Sequence, residues 1–114
     1  MYWVSSYYLK ENKAGDLQRW LLSDEAKELM AAVEKETGMH YMGNFWPILG
    51  FGEYDVEEWW EVSDWATLDK FREAQSMNRL YQKYFELDVV DQSRAGSNRM
   101  MRSTGDVRIF EPEK

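Results

Sequence analysis

Residues 53–65, EYDVEEWWEVSDW, carry the pattern that decides the fold. The stretch alternates as a β-strand does, and neighbouring strand residues point to opposite faces of a sheet. Trp59 and Trp60 are adjacent, so they require two separate buried surfaces. Helices of the same chain can cover one face, but 114 residues leave little chain for a layer on the other. The sequence therefore predicts that a second subunit covers the other face, and it raises the hypothesis of a cavity between subunits.

The composition is typical of one domain with a core of its own, over residues 1–114. The absence of cysteine excludes disulfides, thiolate metal ligands and a cysteine nucleophile. The net charge of −7, with no basic face carrying interleaved aromatic residues, makes nucleic acid a poor candidate partner. No apolar run approaches membrane-spanning length, and residues 1–13 lack the features of a signal peptide. We therefore expect a cytoplasmic protein with neither nucleic acid nor membrane as a partner.

The chain is rich in aromatic residues, with six Trp, seven Tyr and five Phe. Packing is the plainest explanation, because each aromatic side chain buries a large area. More aromatic residues than one small core needs would favour an interface or an aromatic-lined pocket.

Periodicity in the first half predicts strand, helix, strand and strand. The strands are expected at residues 2–10, 39–49 and 53–62, the last two forming a hairpin with its turn at residues 50–52. The helical region should end at Thr37 with Gly38 as its cap. A change in the phase of its apolar residues predicts a break near residues 22–24. Pro47 restricts the second strand to a sheet edge or a bulge near its end.

In the second half, Ser63 or Asp64 is expected to cap a helix that begins near Ala66 and is interrupted near residues 76–78. Residues 92–105 lack a clear period and predict a loop with a short helical turn. A final strand is expected at residues 106–110, and residues 111–114 are expected to be a frayed tail.

The order β-α-β-β-α-β is that of the ferredoxin-like α+β fold, a four-stranded antiparallel sheet with both helices on one face. The strands carry large apolar residues on both faces, as Trp59 and Trp60 illustrate. Two such sheets packed face to face in a symmetric homodimer would cover the face without helices.

The segment WEVSDWATLDKFREA runs from an aromatic strand into the pattern Asp-Trp-x-x-Leu-x-x-Phe. Together with the strand YWVSSYYL, the helix end AAVEKETG and the hairpin HYMGNFWPILGFGEYDVEEWWEV, it resembles the dimeric α+β barrel superfamily over nearly the whole chain. That superfamily includes antibiotic-biosynthesis monooxygenases, haem-degrading monooxygenases, muconolactone isomerases and NIPSNAP-type proteins. The resemblance implies a homodimer whose sheets enclose a barrel, with a ligand cavity between each sheet and its helices. It does not choose among these activities.

The haem-degrading members use an Asn on an early strand, a Trp on a middle strand and a His ligand on the second helix. Trp59 or Trp60 matches the Trp, but the first strand has no Asn and the second helix has no His. The resemblance therefore implies no haem site of that kind, and we expect no cofactor. We also expect no metal site, because His40 is the one histidine and the carboxylates show no ligand spacing.

His40 and Glu58 are the candidate catalytic residues. Histidine is the residue type that most often acts as an acid or base at neutral pH, although a strand-end residue hydrogen-bonded to a carboxylate or water is the favoured interpretation of His40. Burial would raise the pKa of Glu58 and suit it as a general base for a phenol or enol.

The candidate substrate-binding residues depend on the register of the hairpin. Symmetric pairing about Phe51 would place His40 and Glu58 on one face with the remaining candidates, Asn44, Trp46, Tyr54 and Trp60. A mostly apolar face with a few polar groups is typical of a small-molecule pocket. A one-residue shift in register would separate these residues.

Two functions are compatible with these patterns. One is a small-molecule-binding homodimer, in its specific form a cofactor-independent monooxygenase acting on a small aromatic or enolisable substrate. The alternative is a non-catalytic ligand-binding or stress-associated dimer, in which the aromatic residues supply only core and interface.

Overall fold

Four antiparallel strands form one open sheet in the computed structural model, which describes residues 1–48 and 54–103. The strands lie in the order β2-β3-β1-β4. Along the described chain the elements are β1 (Tyr2–Tyr7), α1 (Ala14–Leu21), α2 (Asp24–Thr37), β2 (His40–Phe45), β3 (Val56–Glu61), α3 (Trp65–Glu73), α4 (Gln75–Leu87) and β4 (Ser97–Met101). The predicted ferredoxin-like α+β class is confirmed, with each predicted helix divided into two.

The first helical region breaks where the sequence predicts. α1 ends at Leu21 and α2 begins at Asp24. The side chain of Ser23 accepts a hydrogen bond from the backbone N–H of Ala26 at 3.2 Å and so caps α2. Gly38 ends α2 in the left-handed conformation, with φ of 79°, which a residue without Cβ adopts at little cost.

The second helical region breaks at Ala74, slightly before the predicted position. Asp64 caps α3 by accepting from the N–H of Thr67 at 2.9 Å. No side chain of its own caps α4. Instead the Glu36 carboxylate on α2 accepts from the N–H of Ser76 at 2.8 Å and from that of Gln75 at 3.2 Å. Local sequence predicts a break but not its exact position, because the cap comes from a residue far away in the chain.

The first three strands are shorter than predicted. β1 ends at Tyr7, although Leu9 still forms an isolated antiparallel bridge with Val90. β2 is an edge strand, as Pro47 indicates, and it ends at Phe45. β3 begins at Val56. The predicted turn at residues 50–52 lies outside the described residues.

The prediction of a loop over residues 92–105 is wrong for Ser97–Met101, which form β4. β4 pairs with β1 from Ser6↔Ser97 to Tyr2↔Met101 and completes the sheet. The sequence SNRMM lacks apolar alternation because β4 is an edge strand whose residues stay exposed or half-buried. The predicted final strand at 106–110 and the tail at 111–114 lie outside the described residues.

One face of the sheet packs against the helices, and we call it the helix face. It presents Trp3, Val56 and Trp60, all buried, and the Trp3 ring lies 4.4 Å from that of Phe71 on α3. The other face, the open face, carries Trp59, which remains partly exposed. The two adjacent tryptophans therefore lie in different environments, as strand alternation requires. None of the helices in the described part of the chain has the length and apolar character needed to cross a membrane.

We expect Gly96→Ala to destabilise the protein by about 1–3 kcal/mol, the usual range for overpacking. A Cβ at Gly96 would lie 2.6 Å from the backbone oxygen of Ser6, so β4 and β1 would have to separate. Gly15→Ala is the matched control, since its Cβ would meet only the flexible side chain of Arg19 at 3.3 Å. That change should be neutral or should stabilise α1 by up to about 1 kcal/mol. Urea unfolding measures both, and equal effects would contradict the placement of β4.

Candidate functional site

A buried carboxyl group lies at the centre of the helix face. Strand alternation places Glu58 between Val56 and Trp60 on β3, and only 1% of its surface is exposed. One carboxyl oxygen accepts from Trp60 Nε1 at 2.9 Å, and the other from the Tyr84 hydroxyl at 2.5 Å. Tyr84 comes from α4, so the carboxyl group joins the sheet to the helical layer.

The hydrogen bonds continue from Tyr84 to the edge of the sheet. The Tyr7 hydroxyl is hydrogen-bonded to Tyr84 and accepts from Asn44 Nδ2 at 3.1 Å. The Oδ1 atom of Asn44 in turn accepts from the Tyr41 hydroxyl. We call this series of side chains the Glu58 network: Trp60, Glu58, Tyr84, Tyr7, Asn44 and Tyr41. Among the described residues, no buried side-chain nitrogen or oxygen lacks a hydrogen-bond partner.

Burial dominates the electrostatics of the network. It raises the pKa of Glu58, and the hydrogen bonds from Trp60 and Tyr84 only partly oppose this. It also raises the pKa of Tyr7 and of Tyr84 well above the ordinary value, and the nearby Glu58 raises both further. The site thus favours the neutral form of each of these groups.

A cavity of about 180 Å³ lies beside the carboxyl group. It is lined by Ser5, Tyr7, Glu58, Tyr81, Tyr84, Phe85, Val90 and Gln92, among which there is no Lys, Arg or His. Phe85 is 62% exposed and marks the solvent side of the cavity. Apolar walls around a few converging polar groups are typical of a small-molecule site.

A wider depression of about 580 Å³ lies between α2 and α4. Its lining is mostly charged and includes Glu25 and Lys83, which form an ion pair at 2.8 Å. Solvated ion pairs of this kind are ordinary surface features. The smaller cavity is the better candidate site, since it alone of the two contains a buried ionisable group.

The predicted site is assembled in part. Asn44 pairs with Glu58 in the β2–β3 ladder, and both belong to the Glu58 network with Trp60. From Gly43 onward, the pairing has the register that symmetry about Phe51 predicts.

His40 does not share this face, so the predicted register is wrong at the start of β2. The ladder shifts by one residue between Tyr41 and Gly43, where Gly43 has φ of 128°. This β-bulge pairs His40 with Glu61 and puts Tyr41 opposite Trp60. The exposed imidazole is instead hydrogen-bonded through Nδ1 to Glu34, at 2.6 Å. The favoured interpretation of His40, a strand-end residue beside a carboxylate, agrees with this position.

Trp46 and Tyr54 lie away from the cavity. Trp46 follows the end of β2 and lines a separate depression with Leu9. The Tyr54 ring packs on that of Tyr8, with centroids 5.0 Å apart. Their roles in substrate binding remain predictions that this geometry does not favour.

Sequence reasoning missed the three tyrosines of the network. Tyr7 has the strand parity of Trp3, and Tyr84 belongs to the apolar side of its helix, so both signals were present. Tyr41 carried no signal, because only the bulge turns it to this face. Among residues 1–48 and 54–103, no three His, Asp or Glu side chains gather so as to hold a metal ion.

No protein-family model and no curated protein matches the chain. Solved structures do: an X-ray structure of protein Atu4242 from Agrobacterium tumefaciens has a TM-score of 0.62 and 16% identity, covering 89% of this chain and 90% of that chain. A second structure of Atu4242, described as a NIPSNAP family protein with unknown function, has a TM-score of 0.61 and 16% identity, covering 88% of this chain and 84% of that chain. At this identity the likeness establishes the fold alone: this chain shares its α+β fold with these two structures.

Proposed function

We propose that the protein is a homodimer that binds a small aromatic or enolisable molecule beside Glu58. The observation that carries this proposal is a fully buried carboxyl group that borders an apolar cavity, with no basic side chain among the described residues of the lining. Burying an ionisable group is costly unless neighbouring groups compensate for it. Such groups therefore cluster at functional sites.

In its specific form, the proposed activity is that of a cofactor-independent monooxygenase. Glu58 removes a proton from a CH₂ group activated by a neighbouring carbonyl or phenol, and its raised pKa makes the ionised carboxylate a stronger base. Once Glu58 holds the proton, the Tyr7 hydroxyl in the cavity lining donates a hydrogen bond to the enolate oxygen that develops. The overall reaction is R₂CH₂ + O₂ → R₂C=O + H₂O, so one oxygen atom enters the product and the other leaves as water. The substrate supplies all the electrons, which is why no cofactor is required.

The proposed homodimer forms through the open face of the sheet. Phe45 and Met101 are exposed there, and the Trp59 ring packs between those of Tyr2 and Phe45, at 5.9 and 5.8 Å. Contiguous exposed aromatic residues are typical of an interaction surface. A second copy of the same face would cover them while leaving the cavity on the helix face intact.

A non-catalytic ligand-binding or stress-associated dimer is the second candidate. The observation in its favour is that every polar group of the Glu58 network already has a partner within the protein. A fully satisfied network stabilises the core without any reaction.

Oxygen uptake with a panel of phenols and quinols separates the two candidates. For an enzyme, we expect Glu58→Gln to lower kcat by about 10²-fold or more, the usual contribution of a general base. Glu61→Gln is the control, because Glu61 lies on the same strand with an exposed side chain. Unchanged turnover in Glu58→Gln would remove Glu58 from the mechanism. Binding without oxygen uptake would favour the non-catalytic candidate.

A further inference from the structure

We infer, on the basis of the proposed function, that the cavity takes an uncharged molecule of a single ring with one oxygen that accepts a hydrogen bond. The same geometry excludes carboxylates, phosphates and fused-ring compounds. Three properties of the cavity lead to this class of ligand: its volume, its charge and its surplus of hydrogen-bond donors.

The volume fits one ring. The cavity measures about 180 Å³, and an engineered apolar cavity of about 150 Å³ is known to hold one benzene molecule. The walls resist expansion, since Tyr7 and Tyr84 are held by the Glu58 network and Val90 is held by its backbone bridge to Leu9. A fused-ring ligand would have to displace one of these walls or remain partly in solvent.

The charge of the cavity excludes anions. The described residues of its lining include the Glu58 carboxyl group and no basic side chain. The nearby cations of α4, Arg79 and Lys83, line the depression on the other side of the helix, and Lys83 is paired with Glu25 there. A carboxylate ligand would lose its hydration there with no cation to offset its charge, which is unfavourable whether Glu58 is neutral or ionised.

The numbers of donors and acceptors in the Glu58 network favour a ligand that accepts a hydrogen bond. When Glu58 is ionised, its oxygens accept from Trp60 and Tyr84, and the Tyr7 hydroxyl accepts from Asn44. The Tyr7 and Tyr84 hydroxyls are hydrogen-bonded to each other. Protonation of Glu58 adds one hydrogen without adding an acceptor, so one hydroxyl hydrogen of the series loses its partner.

Glu58, Tyr84 and Tyr7 all line the cavity, so the unpartnered hydrogen is placed to donate to a ligand there. Transfer along the series moves this hydrogen to Tyr7, the last of the three. A hydroxyl or carbonyl oxygen on the ligand accepts it. Tyr7 is therefore the residue that selects for an oxygen-bearing ring.

Calorimetric titration at pH 7 with four probes tests the inference: p-cresol, toluene, 4-hydroxybenzoate and 2-naphthol. We expect p-cresol to bind and the other three to bind at least about tenfold more weakly, the effect of one lost hydrogen bond or more. Equal or tighter binding of 4-hydroxybenzoate or 2-naphthol would overturn the inference and leave the proposed function standing. Binding of none of the four, with oxygen uptake also absent, would overturn both.

Two variants with matched controls locate the binding. Val90→Phe should fill the cavity and abolish p-cresol binding, whereas Leu22→Phe, at an exposed position just after α1 and outside the cavity lining, should not. Tyr7→Phe should reduce the preference for p-cresol over toluene to less than about threefold, because the surplus donor is removed. Tyr8→Phe, the neighbouring residue outside the cavity lining, should preserve that preference. A preference unchanged in Tyr7→Phe would overturn the assignment of the donor.

Discussion

The Glu58→Gln variant is expected to gain stability relative to the wild-type protein as the pH rises above about 4.5, the ordinary pKa of a glutamate. Burial raises the pKa of Glu58 in the folded state, so below 4.5 the carboxyl group is neutral in both states. Above that pH the unfolded chain ionises, while the folded protein still holds its proton. The stability that the neutral carboxyl contributes is therefore lost progressively as the pH rises towards the folded pKa.

The slope of this loss is bounded by one proton, which corresponds to about 1.4 kcal/mol per pH unit at 25 °C. Glutamine replaces the protonated form closely, because its oxygen accepts from Trp60 and its amide donates to the Tyr84 oxygen. At pH 4 we therefore expect the two proteins to differ by about 1 kcal/mol or less, the net value of a modified hydrogen bond. The difference between the two proteins should then grow in favour of the variant.

The groups around the carboxyl do not titrate in the same window. Tyr7 on β1, Tyr41 on β2, and Tyr81 and Tyr84 on α4 all have a pKa raised by burial and by Glu58, so they stay neutral. Glu58 is thus the ionisable group of this site whose charge changes above pH 4.5.

Urea unfolding between pH 4 and pH 9 measures the effect. Glu61→Gln is again the control, since its side chain is exposed on the same strand. Subtracting the control removes the general effect of one less carboxylate on a chain of net charge −7. Stability curves for wild type and Glu58→Gln that run parallel over this range would show that the carboxyl is ionised in the folded protein.

Local signals made the main elements of the fold predictable. Ser23, Gly38 and Asp64 cap helices as their residue types indicate. The break between α3 and α4 lies at Ala74, before the predicted position, because Glu36 on α2 caps α4. β4 was missed because an edge strand does not need an alternating apolar pattern, and its pairing partner lies about 95 residues earlier in the sequence.

The alternation of residues along the strands predicted part of the site, namely the residues that share one face in the regular part of the sheet. Parity correctly grouped Asn44, Glu58 and Trp60, since Asn44 pairs with Glu58 in the regular part of the hairpin and Trp60 shares the face of Glu58 on β3. The bulge at Gly43 brings Tyr41, in place of His40, onto the helix face of the sheet. The register that follows a single glycine in a strand cannot be read from the sequence. Helix periodicity places Tyr84 on the buried side of α4, but its hydrogen bond to Glu58 depends on how α4 lies over the sheet, which spacing within one element does not give.

A charged residue in the open face should prevent dimerisation. We expect Trp59→Glu to convert the proposed homodimer to a monomer. The Trp59 side chain lies between the exposed Phe45 and Tyr2, near the middle of this face. A buried tryptophan at the centre of an interface commonly contributes about 2–4 kcal/mol. Its loss would weaken association roughly 30- to 1,000-fold. Analytical ultracentrifugation over a range of concentrations measures the dissociation constant directly.

Trp65→Glu is the matched control, because Trp65 is 61% exposed at the start of α3 and has no ring contact with Trp59, Tyr2 or Phe45 of the open face. Both variants lose a tryptophan and gain one negative charge, so general repulsion between acidic chains affects them equally. Dissociation of both would assign the effect to net charge, and dissociation of Trp59→Glu alone would assign it to the open face. A wild-type protein that is monomeric at high concentration would contradict the homodimer, yet it would leave the Glu58 cavity in place, because that cavity is formed by the sheet and α4 of a single chain.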